Sequence, residues 1–281
     1  MRQPDRPCPE HGPEEAVAKR VEDLPQAGRV VERPVSLVDL FPTFCDMAGI
    51  PVPDGMDGES LARMPTQATD FRIFWDNAYA YHHLGSGPAR LTDILQACRK
   101  AGNPDRVLLF GSTSKISFAG SGLAFMAGSS ANMAWVKQHL AFQTIGPDKL
   151  NQLRHLLFFK NMAGIESHMQ RHAAILKPKF DTVQDVLERE LGGRGIVEWT
   201  RPAGGYFISI NTRNGCARRV VQLAAEAGVK LTPAGSTYPY QKDPCDRNIR
   251  IAPSFPAVAD IRTATEVLAV SLELAWLEQR T

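Results

Sequence analysis

From about Phe71 to the C-terminus, short apolar runs alternate with stretches in which apolar residues recur every three or four positions. Apolar runs bounded by turn residues are typical of buried strands, and the wider spacing is typical of amphipathic helices. The pattern predicts strands at 71–75, 107–111, 122–128, 205–210 and 248–252. It predicts helices at 91–100, 218–227 and 259–279, a long helix that begins near Asp148, and a helical stretch that ends at Gly192. Strands that alternate with helices indicate an α/β fold.

The N-terminal part of the chain has a different texture. Residues 1–34 are rich in Pro, Glu, Arg and Gly without periodicity, which predicts a loosely ordered arm. Residues 35–65 predict one short amphipathic helix that ends at Gly49, followed by a turn-rich segment. We therefore divide the chain into four regions, at 1–34, 35–65, 66–147 and 148–281.

Composition and charge exclude several kinds of partner. A hydrophobic fraction of 43%, a charged fraction of 22% and a net charge of +2 are ordinary for a globular protein. A nucleic-acid binder would carry a larger basic excess, and a membrane span would need roughly 18 consecutive apolar residues. The five cysteines lack C-x-x-C spacing, so they predict neither a disulfide framework nor a zinc site. The scattered cysteines favour a reducing, cytoplasmic location. From the charge and the lack of a long apolar run we expect no nucleic-acid and no membrane partner. His82 and His83 have no third ligand spaced nearby, so we expect no metal site.

Polar residues follow the first two predicted strands, where open α/β sheets place their ligand sites. Asp76 and Tyr79 follow the first strand, and Ser112, Ser114 and Lys115 follow the second. A desolvated lysine amine can form a Schiff base with an aldehyde, and a buried aspartate can keep a pyridine nitrogen protonated. The phenol can bond the phenolate oxygen of pyridoxal phosphate, and the hydroxyls can reach its phosphate. This set of residues predicts a pyridoxal-phosphate site.

Taken singly, these residues also have ordinary structural interpretations. Asp76 could cap a turn, Lys115 could be a solvated surface lysine, and Tyr79 could be a half-buried aromatic with a wet hydroxyl. Their joint placement after consecutive strands favours the cofactor site.

Five motifs follow one another in the order found in fold-type I aminotransferases. They are D-N-A-Y at 76–79, S-T-S-K at 112–115, R-P-A-G-G-Y-F-I at 201–208, L-T-P-A-G-S-T-Y-P-Y at 231–240 and N-I-R-I-A-P-S-F-P at 248–256. From about Phe71 to Glu273 the chain resembles the C-terminal portion of this class of pyridoxal-phosphate enzymes, and of its bacterial aspartate-aminotransferase-like subgroup.

The resemblance implies several functional expectations. Arg250 would clamp the α-carboxylate of the substrate, although it could equally form a surface ion pair. The reaction would be transamination between an aspartate-like amino acid and a 2-oxo acid, and a homodimer is a possible assembly. Many relatives have a phosphate-binding arginine eight residues after the lysine, and here that position is Leu123.

The segment at 35–65 resembles a late segment of sulfatases, but the sulfatase nucleophile motif C-x-P-x-R is absent. Fold-type I aminotransferases carry a much longer portion before the D-x-x-Y motif. The expected fold is therefore a truncated large-domain parallel sheet with helices at 66–147, plus a small C-terminal α/β domain. We expect an enzyme impaired by truncation, or alternatively an inactive remnant that serves at most as a binding module.

Overall fold

The computed structural model describes residues 60–66, 68, 70–85 and 93–280. The arm predicted at 1–34, and the segment predicted at 35–65 as far as residue 59, lie outside these residues. The described chain forms two compact units. The first unit comprises the described residues of 60–80 and 93–165, and the second comprises 81–85 and 166–280.

The first unit is built on a three-stranded sheet in the order β1–β2–β3. Its elements are β1 (Ile73–Asp76), α1 (Ile94–Lys100), β2 (Val107–Ser112), β3 (Ala124–Gly128), α2 (Ser130–Gln143) and α3 (Lys149–Phe159). β1 and β2 run parallel, with Ile73 opposite Val107 and Asp76 opposite Phe110. A parallel pair needs a crossover connection, and α1 lies within that connection. β3 pairs antiparallel with β2.

A small apolar core holds α1 against β2. Val107 is fully buried, and Ile94 and Cys98 of α1 pack in the same cluster. Asp93 caps the start of α1, where its carboxylate accepts the N–H of Gln96 at 3.1 Å. These contacts hold β2 against a buried apolar core, so the residues that follow β2 start from a fixed position.

The second unit packs helices against an antiparallel sheet in the order β4–β5–β6. Its elements are α4 (Met162–Leu191), most of which belongs to this unit, β4 (Val197–Trp199), β5 (Ile208–Thr212), α5 (Ala217–Glu226), β6 (Asn248–Ile251) and α6 (Val258–Glu278). Phe180, Val183 and Leu187 of α4 share one buried cluster with Ile208 and Ile210 of β5. The apolar spacing that predicted the end of this helix is thus its core-facing stripe.

The mixed α/β fold expected from the sequence is confirmed, and the predicted strands are present within a few residues of their expected bounds. The third strand differs in direction, because β3 runs antiparallel to β2 in a sheet that we expected to be parallel. Among the α-helices and strands of the described residues, α2 and β4 were not predicted from the sequence. In α2 only Asn132 and Val136 are buried, so the helix has almost no apolar periodicity to recognise.

Two helices stand where one long helix was expected from Asp148. Asp148 caps α3 as its position suggests, accepting the N–H of Asn151 at 3.0 Å, but α3 ends at Phe159 and Lys160 has a positive φ of 63°. Asn161 then caps the next helix by accepting the N–H of Gly164 at 3.0 Å. A Cβ on Gly164 would lie 1.8 Å from the carbonyl oxygen of Phe159, so the junction requires glycine there.

Within the described residues, no helix combines the length and the apolar character needed to cross a membrane. Cys98 and Cys216 are buried and are not disulfide-bonded. Cys245 is disulfide-bonded, which the cysteine spacing did not lead us to expect.

Candidate functional site

The parallel register of β1 and β2 brings two of the predicted motifs to one edge of the sheet. Asp76 is the last residue of β1 and lies opposite Phe110, and Ser112 ends β2 at the same edge. The N–H of Asn77 donates to the carbonyl oxygen of Phe110 at 2.8 Å, which extends the pairing just past β1. The turns that contain Asp76–Tyr79 and Ser112–Lys115 therefore leave the sheet at neighbouring strand ends. The roles assigned to these residues stay predictions.

Asp76 begins a tight turn at the end of β1. Its Oδ1 accepts the N–H of Ala78 at 3.2 Å, and its side chain is exposed. Tyr79 is half-buried in the same turn. The turn-cap interpretation of Asp76 therefore holds locally, and its exposure differs from the buried position that the sequence argument used for the cofactor role. A carboxylate can accept several hydrogen bonds, so the cap leaves acceptor capacity for a cofactor.

The second turn brings two hydroxyls close together, and Lys115 follows them directly in the sequence. The Oγ atoms of Ser112 and Ser114 lie 2.7 Å apart, and the N–H of Ser114 donates to Ser112 Oγ at 3.0 Å. The N–H of Ile116 donates to the carbonyl oxygen of Thr113 at 2.9 Å, which closes the turn around Lys115. Lys115 itself is exposed. Two adjacent hydroxyls beside an amine form a donor set suited to an anionic group.

The loop from Ser112 to Leu123 closes on itself through Thr113. The N–H of Thr113 donates to the carbonyl oxygen of Leu123, and the N–H of Leu123 donates to Thr113 Oγ1, both at 2.8 Å. Gly122 lies directly against Ser114, because a Cβ at residue 122 would be 2.7 Å from Ser114 Oγ and 2.8 Å from its backbone nitrogen. Leu123, at the position where many relatives carry an arginine, contributes backbone groups to this closure.

His155 also contacts this loop, and sequence reasoning did not identify it. It lies on α3, is only 4% exposed, and has Nε2 2.7 Å from Ser117 Oγ and 3.2 Å from Thr113 Oγ1. The sequence around His155 is a weak signal for such a contact, since it shows one histidine that precedes the apolar run Leu-Leu-Phe-Phe at 156–159. Nothing in that pattern links it to a loop more than thirty residues earlier.

Arg250 belongs to the second unit, where it lies on β6 opposite Ser209. Its guanidinium carbon lies 4.4 Å from the centroid of the Phe207 ring, a cation–π arrangement. Its Nε atom is buried and has no hydrogen-bond partner among the described residues. A buried cationic donor without a partner is costly unless a ligand satisfies it.

His82 and His83, the adjacent histidines considered as metal ligands, contact other residues. The ring of His82 packs edge-on against Tyr206 at 4.9 Å, and His83 forms a β-bridge with Gly204. In the part of the chain that the structure describes, no group of three or more His, Cys, Asp or Glu residues is arranged to hold a metal ion.

The fold and these motifs define a member of the aminotransferases. The chain belongs to the aspartate amino-transferase family, whose model matches residues 23–281. This match begins well before Phe71, where we expected the likeness to start. The sulfatase-like interpretation of residues 35–65 stays a prediction.

Several relatives are similar over most of this chain. It is 41% identical over 257 residues to the aspartate aminotransferase of Corynebacterium glutamicum. This match covers 91% of this chain and 59% of the relative. It is 50% identical over 218 residues to a protein of Mycolicibacterium smegmatis classed among the aminotransferases. This match covers 78% of this chain and 51% of that protein. The chain thus spans between half and three fifths of the length of these relatives.

Solved structures agree with this assignment. The crystal structure of an aspartate transaminase from Corynebacterium glutamicum superposes with a TM-score of 0.77 at 43% identity, covering 83% of this chain and 55% of that one. LysN, the α-aminoadipate aminotransferase of Thermus thermophilus, was crystallised with N-(5'-phosphopyridoxyl)-L-leucine, and at 19% identity it shows the shared fold alone. Pyridoxal phosphate, the cofactor expected from the sequence, is the cofactor of this family.

Replacing Gly122 with alanine should open the 112–123 loop. The new methyl group would collide with the backbone of Ser114, and such overpacking typically costs about 1–3 kcal/mol. We expect the amide of Leu123, which bonds Thr113 Oγ1, to exchange with deuterium roughly tenfold faster or more. Gly146→Ala is the matched control, because a methyl group at residue 146 would meet no described atom within 4 Å. Equal exchange at Leu123 in both variants would contradict the proposed role of Gly122.

Proposed function

We propose that this chain binds pyridoxal phosphate at the edge of the sheet where β1 and β2 end, and that it catalyses transamination between an aspartate-like amino acid and a 2-oxo acid. The observation that carries the proposal is the parallel pairing of β1 with β2, which starts the Asp76 turn and the Lys115 turn at one sheet edge. Membership of the aspartate amino-transferase family supports it.

The second turn has the chemistry needed to hold the cofactor. The Lys115 amine would anchor it covalently, and the hydroxyls of Ser112 and Ser114, 2.7 Å apart, would donate to its phosphate. Because Gly122 has no side chain, the loop lies close to Ser114. Since Leu123 replaces the arginine of many relatives, hydroxyls and backbone N–H groups would carry the phosphate contacts that an arginine supplies elsewhere.

Asp76 and Tyr79 would hold the ring of the cofactor. The Asp76 carboxylate would accept a hydrogen bond from the protonated pyridine nitrogen, and the Tyr79 hydroxyl would donate to the phenolate oxygen. When bound, pyridoxal phosphate supplies an aldehyde that takes up an amino group and a ring that withdraws electrons from the α-carbon of the substrate. Lys115, once its amine is released, would move the proton at that α-carbon as a general base and acid.

Arg250 would bind the α-carboxylate of the substrate. A guanidinium matches a carboxylate with two parallel hydrogen bonds. The cation–π contact with Phe207, 4.4 Å from the guanidinium carbon to the ring centroid, would help to hold the group in place.

The alternative is an inactive chain that binds a partner rather than turning over amino acids. The exposure of Asp76, Ser114 and Lys115 favours it, because ionic contacts in exposed sites are weak. Exposed apolar side chains on α3, Leu150, Leu156 and Leu157, are suited to association with another chain, including a second copy of this one. The cytoplasmic location stays a prediction.

The proposed reaction should depend on Lys115. With saturating pyridoxal phosphate, L-aspartate and 2-oxoglutarate, we expect measurable glutamate formation at least tenfold below the ~10 s⁻¹ typical of enzymes, because the cofactor contacts are exposed. Lys115→Ala should abolish it, whereas Lys137→Ala, at an exposed lysine of α2, should leave it unchanged. Activity that survives in Lys115→Ala would sink the assignment of Lys115. No glutamate from the unmodified chain would favour the inactive alternative.

Arg250→Lys should weaken productive binding of the amino acid. Lysine cannot form the two-pronged contact with a carboxylate, and a lost charge-assisted bond costs about 1.5–3 kcal/mol. We therefore expect kcat/KM for L-aspartate to fall by roughly tenfold to a hundredfold. Arg262→Lys, at an exposed arginine of α6, serves as the control. A value of kcat/KM within twofold of the unmodified chain would show that Arg250 does not bind the substrate.

A further inference from the structure

Helix α3 is fastened to the loop that carries Lys115 through one buried side chain. His155 contacts Ser117 Oγ at 2.7 Å and Thr113 Oγ1 at 3.2 Å with the same ring nitrogen, Nε2. Its other ring nitrogen, Nδ1, lies 2.8 Å from the carbonyl oxygen of Asn151. One imidazole therefore links the helix backbone to two residues of the loop.

The partners of His155 assign a direction to these hydrogen bonds. A carbonyl oxygen can only accept, so Nδ1 must carry the hydrogen that points to Asn151. In the neutral ring this leaves Nε2 as an acceptor, and the Ser117 hydroxyl can donate either to it at 2.7 Å or to the Thr113 carbonyl oxygen at 3.1 Å. The Asn151 carbonyl thus sets the tautomer in which the ring can hold the loop.

The two loop residues that His155 holds flank Lys115 on both sides. Thr113 precedes Lys115 by two residues and Ser117 follows it by two, and the N–H of Ser117 donates to the carbonyl oxygen of Thr113 at 2.8 Å. The Ser117 hydroxyl also lies 3.1 Å from Thr113 Oγ1. A displacement of either residue would therefore turn the backbone from which the Lys115 amine projects.

We propose that His155 is a positioning residue, which orients the turn around Lys115 so that the amine can react with the cofactor aldehyde. This inference rests on the proposed function. It assigns His155 no contact with the cofactor or the substrate, because its ring is buried between α3 and the loop.

Further contacts between α3 and the loop surround the same point. The Phe118 ring packs edge-on against His155 at a centroid distance of 5.3 Å, and the Arg154 guanidinium lies 4.8 Å from the Phe118 ring centroid. Asn151 Nδ2 donates to the carbonyl oxygen of Gly122 at 3.4 Å. His155 is thus the polar centre of a packed contact, where an imidazole has little freedom to find other partners.

Two substitutions at His155 separate its hydrogen bond from its volume. His155→Phe keeps an aromatic ring in the buried space and removes both polar contacts. His155→Gln can return an amide group close to the place of Nε2. His139→Phe is the matched control, because His139 is an exposed histidine on α2 whose Nδ1 contacts only the carbonyl oxygen of Trp135 among the described residues.

The measurement is the rate at which pyridoxal phosphate attaches to Lys115 in the full chain. The amine condenses with the aldehyde, water leaves, and borohydride reduces the resulting C=N bond to a stable amine that peptide mass spectrometry locates. We expect this rate to fall about tenfold in His155→Phe, the effect of losing one net hydrogen bond of ordinary strength. His155→Gln should recover to within about threefold of the unmodified chain, and His139→Phe should match it.

If His155→Phe does not fold, as judged by circular dichroism, Ser117→Ala decides the question by removing the hydroxyl that His155 Nε2 contacts. A slowing of at least about tenfold is expected, because the contacts of this hydroxyl with Thr113 are lost as well. Attachment at the unmodified rate in the folded variant, or a glutamine variant no faster than the phenylalanine one, would overturn the positioning role. An unmodified chain that takes up label only on other lysines would instead overturn the proposed function, and this inference with it.

Discussion

Ile73 to Asp76 pair in parallel with Val107 to Phe110, and every part of the candidate cofactor site depends on that pairing. Parallel strands end at the same edge of a sheet, so the residues that follow β1 and β2 emerge side by side. Buried Val107 and Ile94 pack in one cluster that holds β2 against α1. A shift of one residue would turn every side chain of β1 to the opposite face and remove Asp76 from the place where Ser112 ends β2.

The loop that follows β2 is the second constraint. Its hydroxyls and amine are presented by a short turn that has little apolar surface of its own. Polar contacts hold the turn instead. Thr113 donates to and accepts from Leu123, and Gly122 allows close approach to Ser114. His155 contacts the loop from α3. Together these contacts keep an exposed lysine on a defined backbone.

Much of this arrangement could be read from the sequence, because it depends on local signals. Apolar runs located β1 and β2, and the polar residues directly after them located the Asp76 turn and the Lys115 turn. Arg250 was found from its motif. Contacts between distant parts of the chain could not be predicted from the sequence. No residue near His155 in the sequence indicates its contact with Ser117. No residue near Arg250 indicates that its Nε is buried without a partner among the described residues. The break at Lys160 was also missed, because a lysine with a positive φ and an asparagine cap interrupt a stretch that otherwise favours helix.

The affinity for pyridoxal phosphate tests most directly whether Asp76 and Lys115 act on one bound cofactor. The measurement is the Kd of the full chain by equilibrium dialysis, compared between the unmodified chain, Asp76→Ala and the control Asp70→Ala, which removes another exposed carboxylate of the first unit. Loss of one charge-assisted hydrogen bond to the ring predicts a Kd roughly tenfold to a hundredfold higher for Asp76→Ala, with Asp70→Ala unchanged. Equal Kd values for the unmodified chain and Asp76→Ala would show that the two strand ends do not share a cofactor site.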